Sequence, residues 1–342
     1  MSNKLLTLVI TASLWLAANA QHTEIRAQHN LAKWHITSAN YSGIIRIDTN
    51  LYALVDDKSH TEGFRLFHID IDPNTGNITH VDTSDLIHPS HPDSLSSRAD
   101  CEDIVYVPQS NTVFITHEHT ARVKEYTLQG ELTGRELHIP ESISLDKQQI
   151  NGGFEALAYN TTTGTFWLTT ENKLKTDTLV TDIDGNMRQP LRLTSFNHNL
   201  EPMGLKLYLM EQAQLPTNVK YYTHGVPAMT AMPDGRLIVM ERELSIPARY
   251  LGGRSLIRIF VVNPADTPSP LTPLPKQELA SFTTKIRVIA PNYANYEGMC
   301  LGPTLTDGRQ TLILVNDSQA GAGNSLYRLK DYLKILVLPK NF

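Results

Sequence analysis

The sequence predicts an all-β fold, a β-propeller of five or six blades preceded by a cleaved signal peptide. Three observations carry that expectation: short strand-forming runs separated by turn residues, a two-strand unit that recurs along the chain, and an apolar leader ending in small residues.

The leader comes first. Lys4 precedes an apolar run from Leu5 to Ala17, which ends in Ala18-Asn19-Ala20 before Gln21. This is the arrangement of a secretory signal peptide over residues 1–20. The run is too short to span a bilayer comfortably, and no later segment approaches about 20 continuous apolar residues. The expected location is therefore exported, periplasmic or extracellular, with no membrane insertion after cleavage. A net charge of −5 and a pI near 6.2 give no basic footprint, which argues against nucleic acid as a partner. Any anionic substrate would need locally placed cations. Cys101 and Cys300 are the only cysteines. They read as small buried strand residues, and a bridge between them stays open because bridging depends on Cα separation and direction.

Runs rich in Val, Ile, Leu, Tyr and Thr recur between turn signals such as Pro73-Asn74-Thr75-Gly76, Asp184-Gly185, Pro233-Asp234-Gly235 and Asp307-Gly308. Five units start at Ser42-Gly43-Ile44, Cys101-Glu102-Asp103-Ile104, Phe154-Glu155-Ala156-Leu157, Ala228-Met229 and Tyr296-Glu297-Gly298-Met299. Each passes through a strand, a turn and a second strand ending in an acid: Asp56, Glu118, Glu171, Glu241 and Asp317. The starts are roughly 50 to 75 residues apart, against about 40–50 for a minimal four-stranded blade. The segment before Tyr41 and the strand Leu333 to Leu338 are expected to complete or close the ring. Thr267 to Pro275, with four prolines in nine residues, reads as a surface linker between blades.

In a hairpin, the start of the first strand and the end of the second share one sheet edge. Glu102 should then neighbour Glu118, Glu155 should neighbour Glu171, and Glu297 should neighbour Asp317. Equivalent edges of successive blades surround one mouth of the central channel, so the repeat predicts a carboxylate ring there. Ionised carboxylates in close company favour a cation, and oxygen-only ligands suit calcium. Glu102, Glu118, Glu155, Glu171, Glu297 and Asp317 are the expected metal ligands, with Asn151, Asn172 and Asn316 available to complete the shells. The alternative is that these acids accept backbone amides of neighbouring blades or pair with Arg98, Arg242 and Arg254. Arg242 is the expected anion-binding residue, since guanidinium matches phosphate or carboxylate at two points, although an ion pair with a neighbouring blade would equally explain it.

His117 and His119 flank Glu118 and should face away from it, in a packing or surface role. Asp70 to Gly76 reads as a hairpin turn rather than a calcium loop, because it contains Pro73 and lacks a bidentate glutamate at the required position. Ala320-Gly321-Ala322-Gly323-Asn324 lacks the lysine and following helix of a phosphate loop and reads as a flexible connection. Serine-hydrolase and zinc-protease signatures are absent, which leaves metal-activated water or no chemistry; no catalytic side chain is identified.

The order of these motifs resembles the family known for the esterase-like activity of phytase. The matching stretches are Ser42-Gly43-Ile44 to Leu54-Val55-Asp56, Asp100 to Ile104 with Thr116-His117-Glu118, Asn151 to Leu157 with Thr170-Glu171, Asp234 to Arg242, and Asn295 to Met299 with Val315-Asn316-Asp317. Two departures stand out. The usual Glu-Gly becomes Glu102-Asp103 and Glu155-Ala156, and the acidic-Asn pair after the last strand becomes Asn316-Asp317-Ser318. The resemblance implies a single phytase-like propeller domain over residues 21–342 and hydrolysis of a small anionic phosphate or carboxylate ester. A non-catalytic propeller binding a glycan, peptide or small metabolite is the alternative, because fold does not fix function.

Overall fold

A computed structural model of the chain describes residues 22–91, 100–289, 292–323, 328–340 and 342. The expected signal peptide, Arg98 and Asn324 lie outside the described residues. The described strands include five antiparallel sheets of four, and β1 (Glu24–Asn30), the first in the chain, belongs to the last of them. The first blade is β2 (Tyr41–Arg46), β3 (Leu51–Asp56), β4 (Phe64–Ile71) and β5 (Ile78–Ile87). The second is β6 (Cys101–Val107), β7 (Thr112–His117), β8 (Arg122–Thr127) and β9 (Leu132–Glu136). In the third, β10 (Phe154–Asn160) and β11 (Thr165–Thr170) are followed by a small separate hairpin, β12 (Val180–Thr181) and β13 (Met187–Arg188). The blade then resumes with β14 (Pro190–Phe196) and β15 (Pro202–Leu209). The fourth is β16 (Tyr221–Ala231), β17 (Leu237–Ile246), β18 (Arg254–Val262) and β19 (Lys276–Lys285). The fifth is β20 (Asn295–Thr304), β21 (Gln310–Asp317) and β22 (Tyr332–Val337), with β1 as its outermost strand.

The propeller therefore has five blades, and its two ends meet within the last one. β1 pairs with β22 from Glu24 opposite Val337 to Asn30 opposite Tyr332, and Leu31 N donates to Asp331 O at 2.9 Å. The inner strands β2, β6, β10, β16 and β20 touch in sequence, and β20 returns to β2.

The core lies between blades rather than within them. One apolar cluster joins Leu54 and Phe67 to Ile313 and Leu333 across the fifth and first blades. Four others fill the remaining junctions. Along β17, Leu237 and Val239 face the third blade while Ile238 and Met240 face the fifth. Because both faces of a blade are covered, its middle strands read as continuous apolar runs instead of alternating ones. Cys101 and Cys300 are fully buried in separate blades and are not bridged to each other.

The proline-rich segment is placed differently from the sequence expectation. It joins β18 to β19 inside the fourth blade, and Leu274 N donates to Leu207 O at 2.9 Å on the third. A long excursion within a blade and a linker between blades have the same composition, so only strand pairing separates them. Asp70 to Gly76 is the hairpin turn expected: Asp72 Oδ1 accepts from Asn74 N at 2.8 Å, and Gly76 takes φ +71°. Among the described residues no helix is long and apolar enough to cross a membrane.

Candidate functional site

The first strand of every blade begins with the same irregularity. Pairing between first and second strands shifts register between Tyr41 and Ile44, Cys101 and Ile104, Phe154 and Ala156, Gly225 and Ala228, and Tyr296 and Gly298. A bulge leaves its extra residue unpaired and re-aims its side chain. The bulged positions include Ser42, Glu102, Glu155, Val226 and Glu297, so three of the five carry a glutamate at the same mouth.

The second strands supply the matching acids. Asp57 N donates to Asn40 O at 2.9 Å, Glu118 N to Asp100 O at 3.1 Å and Glu171 N to Gly153 O at 2.8 Å, and Asp317 pairs with Asn295. These equivalent bonds make Asp57, rather than Asp56, the first-blade counterpart of Glu118 and Glu171. Asp56 stands opposite Tyr41, where the second blade has His117 opposite Cys101. In the fourth blade Glu241 points elsewhere: it accepts from Tyr208 Oη at 2.7 Å and Lys276 Nζ at 2.7 Å and serves the outer part of the blade.

All six sequence-predicted acids meet at this mouth. Burial first, then the charges of Asp57, Glu155, Glu118 and Glu297, pushes the Glu102 carboxyl well above the usual range. Burial and the neighbouring Glu171 do the same to Glu155, against the opposing pull of Arg242. Glu118 is raised mainly by burial, and Asp317 by burial and Glu297. Asp100 joins the group, raised by burial and by Asp57. Asp57 and Asp100 were missed in the sequence because both precede or follow a strand end by one residue, and only the bulge register shows which acid turns inward.

Arg242 is not an open anion contact. It is 5% exposed, and its two Nη atoms bond to Glu171 and Glu297 on either side of the fourth blade. Asn295 Oδ1 accepts from it as well, at 3.3 Å. Its arrangement is the inter-blade ion pair. Burial opposes the charged form of the guanidinium, but the surrounding glutamates hold it charged. Arg254 is exposed on β18. Lys58 stands at the edge of the mouth, more than half exposed, with Nζ 2.5 Å from Asp57 Oδ2.

The supporting residues explain both departures from the Glu-Gly pattern. A Cβ on Gly43 would lie 2.5 Å from Asp103 Cα, and one on Gly298 would lie 2.0 Å from Ser42 O. Inner strands thus approach too closely for most side chains at the residue after the bulge. Asp103 fits because its carboxylate bonds across the gap, accepting from Leu157 N at 2.8 Å and Ile104 N at 2.9 Å. Ala156 is the smallest substitute that still has a Cβ. Glu118 likewise accepts from Gly153 N at 2.8 Å.

Among the asparagines, Asn316 is committed to Lys330 O and Tyr332 N on the way to β22. Asn172 donates to Glu171 Oε2 at 3.0 Å, and Asn151 is exposed. His117 is buried below the rim, with Nε2 2.9 Å from Tyr126 Oη, while His119 is exposed. The opposite mouth has a different character. Its cavity of about 580 Å³ is lined by residues such as Ile45, Arg46, Tyr106, Tyr159, Thr230 and Leu301.

A five-bladed propeller with an acidic mouth at the start of its inner strands is the class these features define. The chain belongs to the phytase-like family described by the esterase-like activity of phytase, which matches residues 37–319. Among solved structures, the fold is similar to an α-L-arabinofuranosidase from Podospora anserina at 12% identity, covering 93% of this chain and 96% of that one with a TM-score of 0.43. An endo-arabinase from Bacteroides thetaiotaomicron is similar at 12% identity, with coverage of 89% and 94% and a TM-score of 0.41. A streptogramin B lyase is similar at 14% identity, with coverage of 92% and 98% and a TM-score of 0.36. No curated protein matches the chain.

Proposed function

We propose that the protein is an exported, calcium-dependent hydrolase of small anionic phosphate or carboxylate esters, acting at the acidic mouth. The observation that carries this reading is the convergence of acids from four blades on one rim around the buried Arg242. So dense a group of carboxylates is costly to ionise without a compensating cation. Oxygen-only donors gathered at this mouth fit calcium, which would supply an acidified water and charge neutralisation when bound. Lys58, at the rim, is placed to meet the substrate anion; Arg242 would do so only by exchanging a carboxylate for it.

The test is hydrolysis of phytate, p-nitrophenyl phosphate and p-nitrophenyl acetate by the mature protein, with calcium and with chelator. Calcium-dependent turnover of at least one is expected. Rates equal to buffer with every metal tried would overturn the hydrolase reading. They would favour a non-catalytic propeller binding a glycan, peptide or small metabolite, for which the blade-locking bonds of Arg242, Asp103 and Glu118 are the favouring observation.

A further inference from the structure

The acidic mouth has two unlike halves. Between the third, fourth and fifth blades, Arg242 already lies against Glu171 and Glu297. Between the first and second blades, Asp57, Asp100 and Glu102 each offer an oxygen, and the three oxygens lie within 4.8 Å of one another. No arginine enters this side among the described residues. Lys58 takes Asp57 Oδ2 from outside, while Asp57 Oδ1 is buried with no donor on it, in a residue only 8% exposed whose carboxyl lies against that of Asp100. The hydrogen-bond donor on Glu102 is Ser42 Oγ, at 3.1 Å to Oε2. A buried carboxylate oxygen without a donor leaves a full desolvation cost unmet, and a cation is the partner that two further carboxylates at this distance invite.

From this geometry we infer that Asp57, Asp100 and Glu102 form one divalent-cation site suited to calcium, and that the half closed by Arg242 holds none. The inference deepens the calcium reading above and rests on it. It assigns the ion to three residues, two of them outside the six ligands the sequence suggests. Calcium binds oxygens at about 2.3–2.6 Å, so a single shell spans oxygens about 5 Å apart. Three carboxylates fill less than half of a shell of about six to eight oxygens, leaving the remainder for water and a substrate oxygen.

The experiment is calorimetric titration of calcium chloride into chelator-stripped mature protein, with terbium luminescence as a second readout. One ion per chain is expected. Asp57→Asn and Asp100→Asn should each weaken binding by at least about tenfold, since loss of even an outer partner of a metal ligand costs about 10–100-fold. Both variants relieve like-charge crowding and should retain the wild-type circular dichroism. Glu171→Gln should leave calcium affinity within about threefold of wild type. No calcium uptake, wild-type affinity in both Asp→Asn variants, or a second ion lost in Glu171→Gln would overturn the site. Calcium bound through these residues without ester turnover would sink the hydrolase reading alone. Calcium-dependent turnover unchanged in both variants would sink the site alone.

Discussion

Arg242 is the residue on which the mouth's charge balance turns. Its guanidinium is shared by carboxylates from the blades on either side, with Arg242 and Glu171 almost wholly buried and Glu297 partly so. Removing one member of a buried ion pair costs about 3–5 kcal/mol, because the other is left uncompensated. Arg242→Met should therefore lower unfolding free energy by about that amount at pH 8, measured by urea denaturation. The loss should shrink at pH 5, where Glu155 and Glu297, already raised by burial, take up protons. A cost below about 1 kcal/mol at pH 8 would show that the pair does not hold the blades.

At the scale of the strand, the bulge that opens each blade both aims the acid and forces close contact at the next residue. Gly298 illustrates the constraint, since a Cβ there meets Ser42 O of the first blade at 2.0 Å. Backbone cannot yield as a flexible side chain would, so Gly298→Ala should cost about 1–3 kcal/mol by overpacking the junction. Gly308 makes the comparison informative: its φ is +87°, but nothing lies within 4 Å of an added Cβ. Gly308→Ala should cost about 1–2 kcal/mol from backbone strain alone. It should leave calcium affinity unchanged, whereas Gly298→Ala should also weaken it by displacing Ser42 from Glu102. Equal calcium affinity in the two variants would separate the bulge from the site.

For the whole molecule, closure and titration are the properties that belong to no single blade. β22 is buried along its length, and β1 covers its free edge. A chain beginning at Leu31 should melt several degrees lower and aggregate on heating, because an uncovered apolar edge strand pairs with other chains. An unchanged melting temperature and soluble unfolding would show that β1 is dispensable. The pH dependence follows from the direction of the carboxyl shifts. Glu102, Glu118, Glu155, Glu297, Asp100 and Asp317 are all raised above their unfolded values of 3.8 or 4.5. Asp331, near the closure, is raised by burial to about 6. The folded state then binds more protons, so their contribution is complete below about pH 4 and is lost as pH rises through the folded values. Lys334 acts oppositely, because burial lowers it to about 8, and it favours folding only as pH rises above that. Metal-free protein should thus melt progressively lower from pH 5 to pH 8, and millimolar calcium should flatten the decline. A rising melting temperature over that range without metal would contradict the raised carboxyls.

The propeller, its repeat unit and the six acids were legible in the sequence, because strand runs, turn residues and an acid at a fixed place in each unit are local patterns. A hairpin also dictates that its first and last residues share an edge. Three features were not legible. The blade count depended on whether β1 and β22 pair with each other, across nearly the full length of the chain. The inward placement of Asp57 rather than Asp56 depended on bulge register, and a shift of one residue reverses a side chain's face. The commitment of Arg242 to Glu171 and Glu297 depended on three blades meeting at the axis. Local periodicity determines strands and the edge an acid occupies; which charges face one another is decided only when the ring closes and brings distant strand ends into contact.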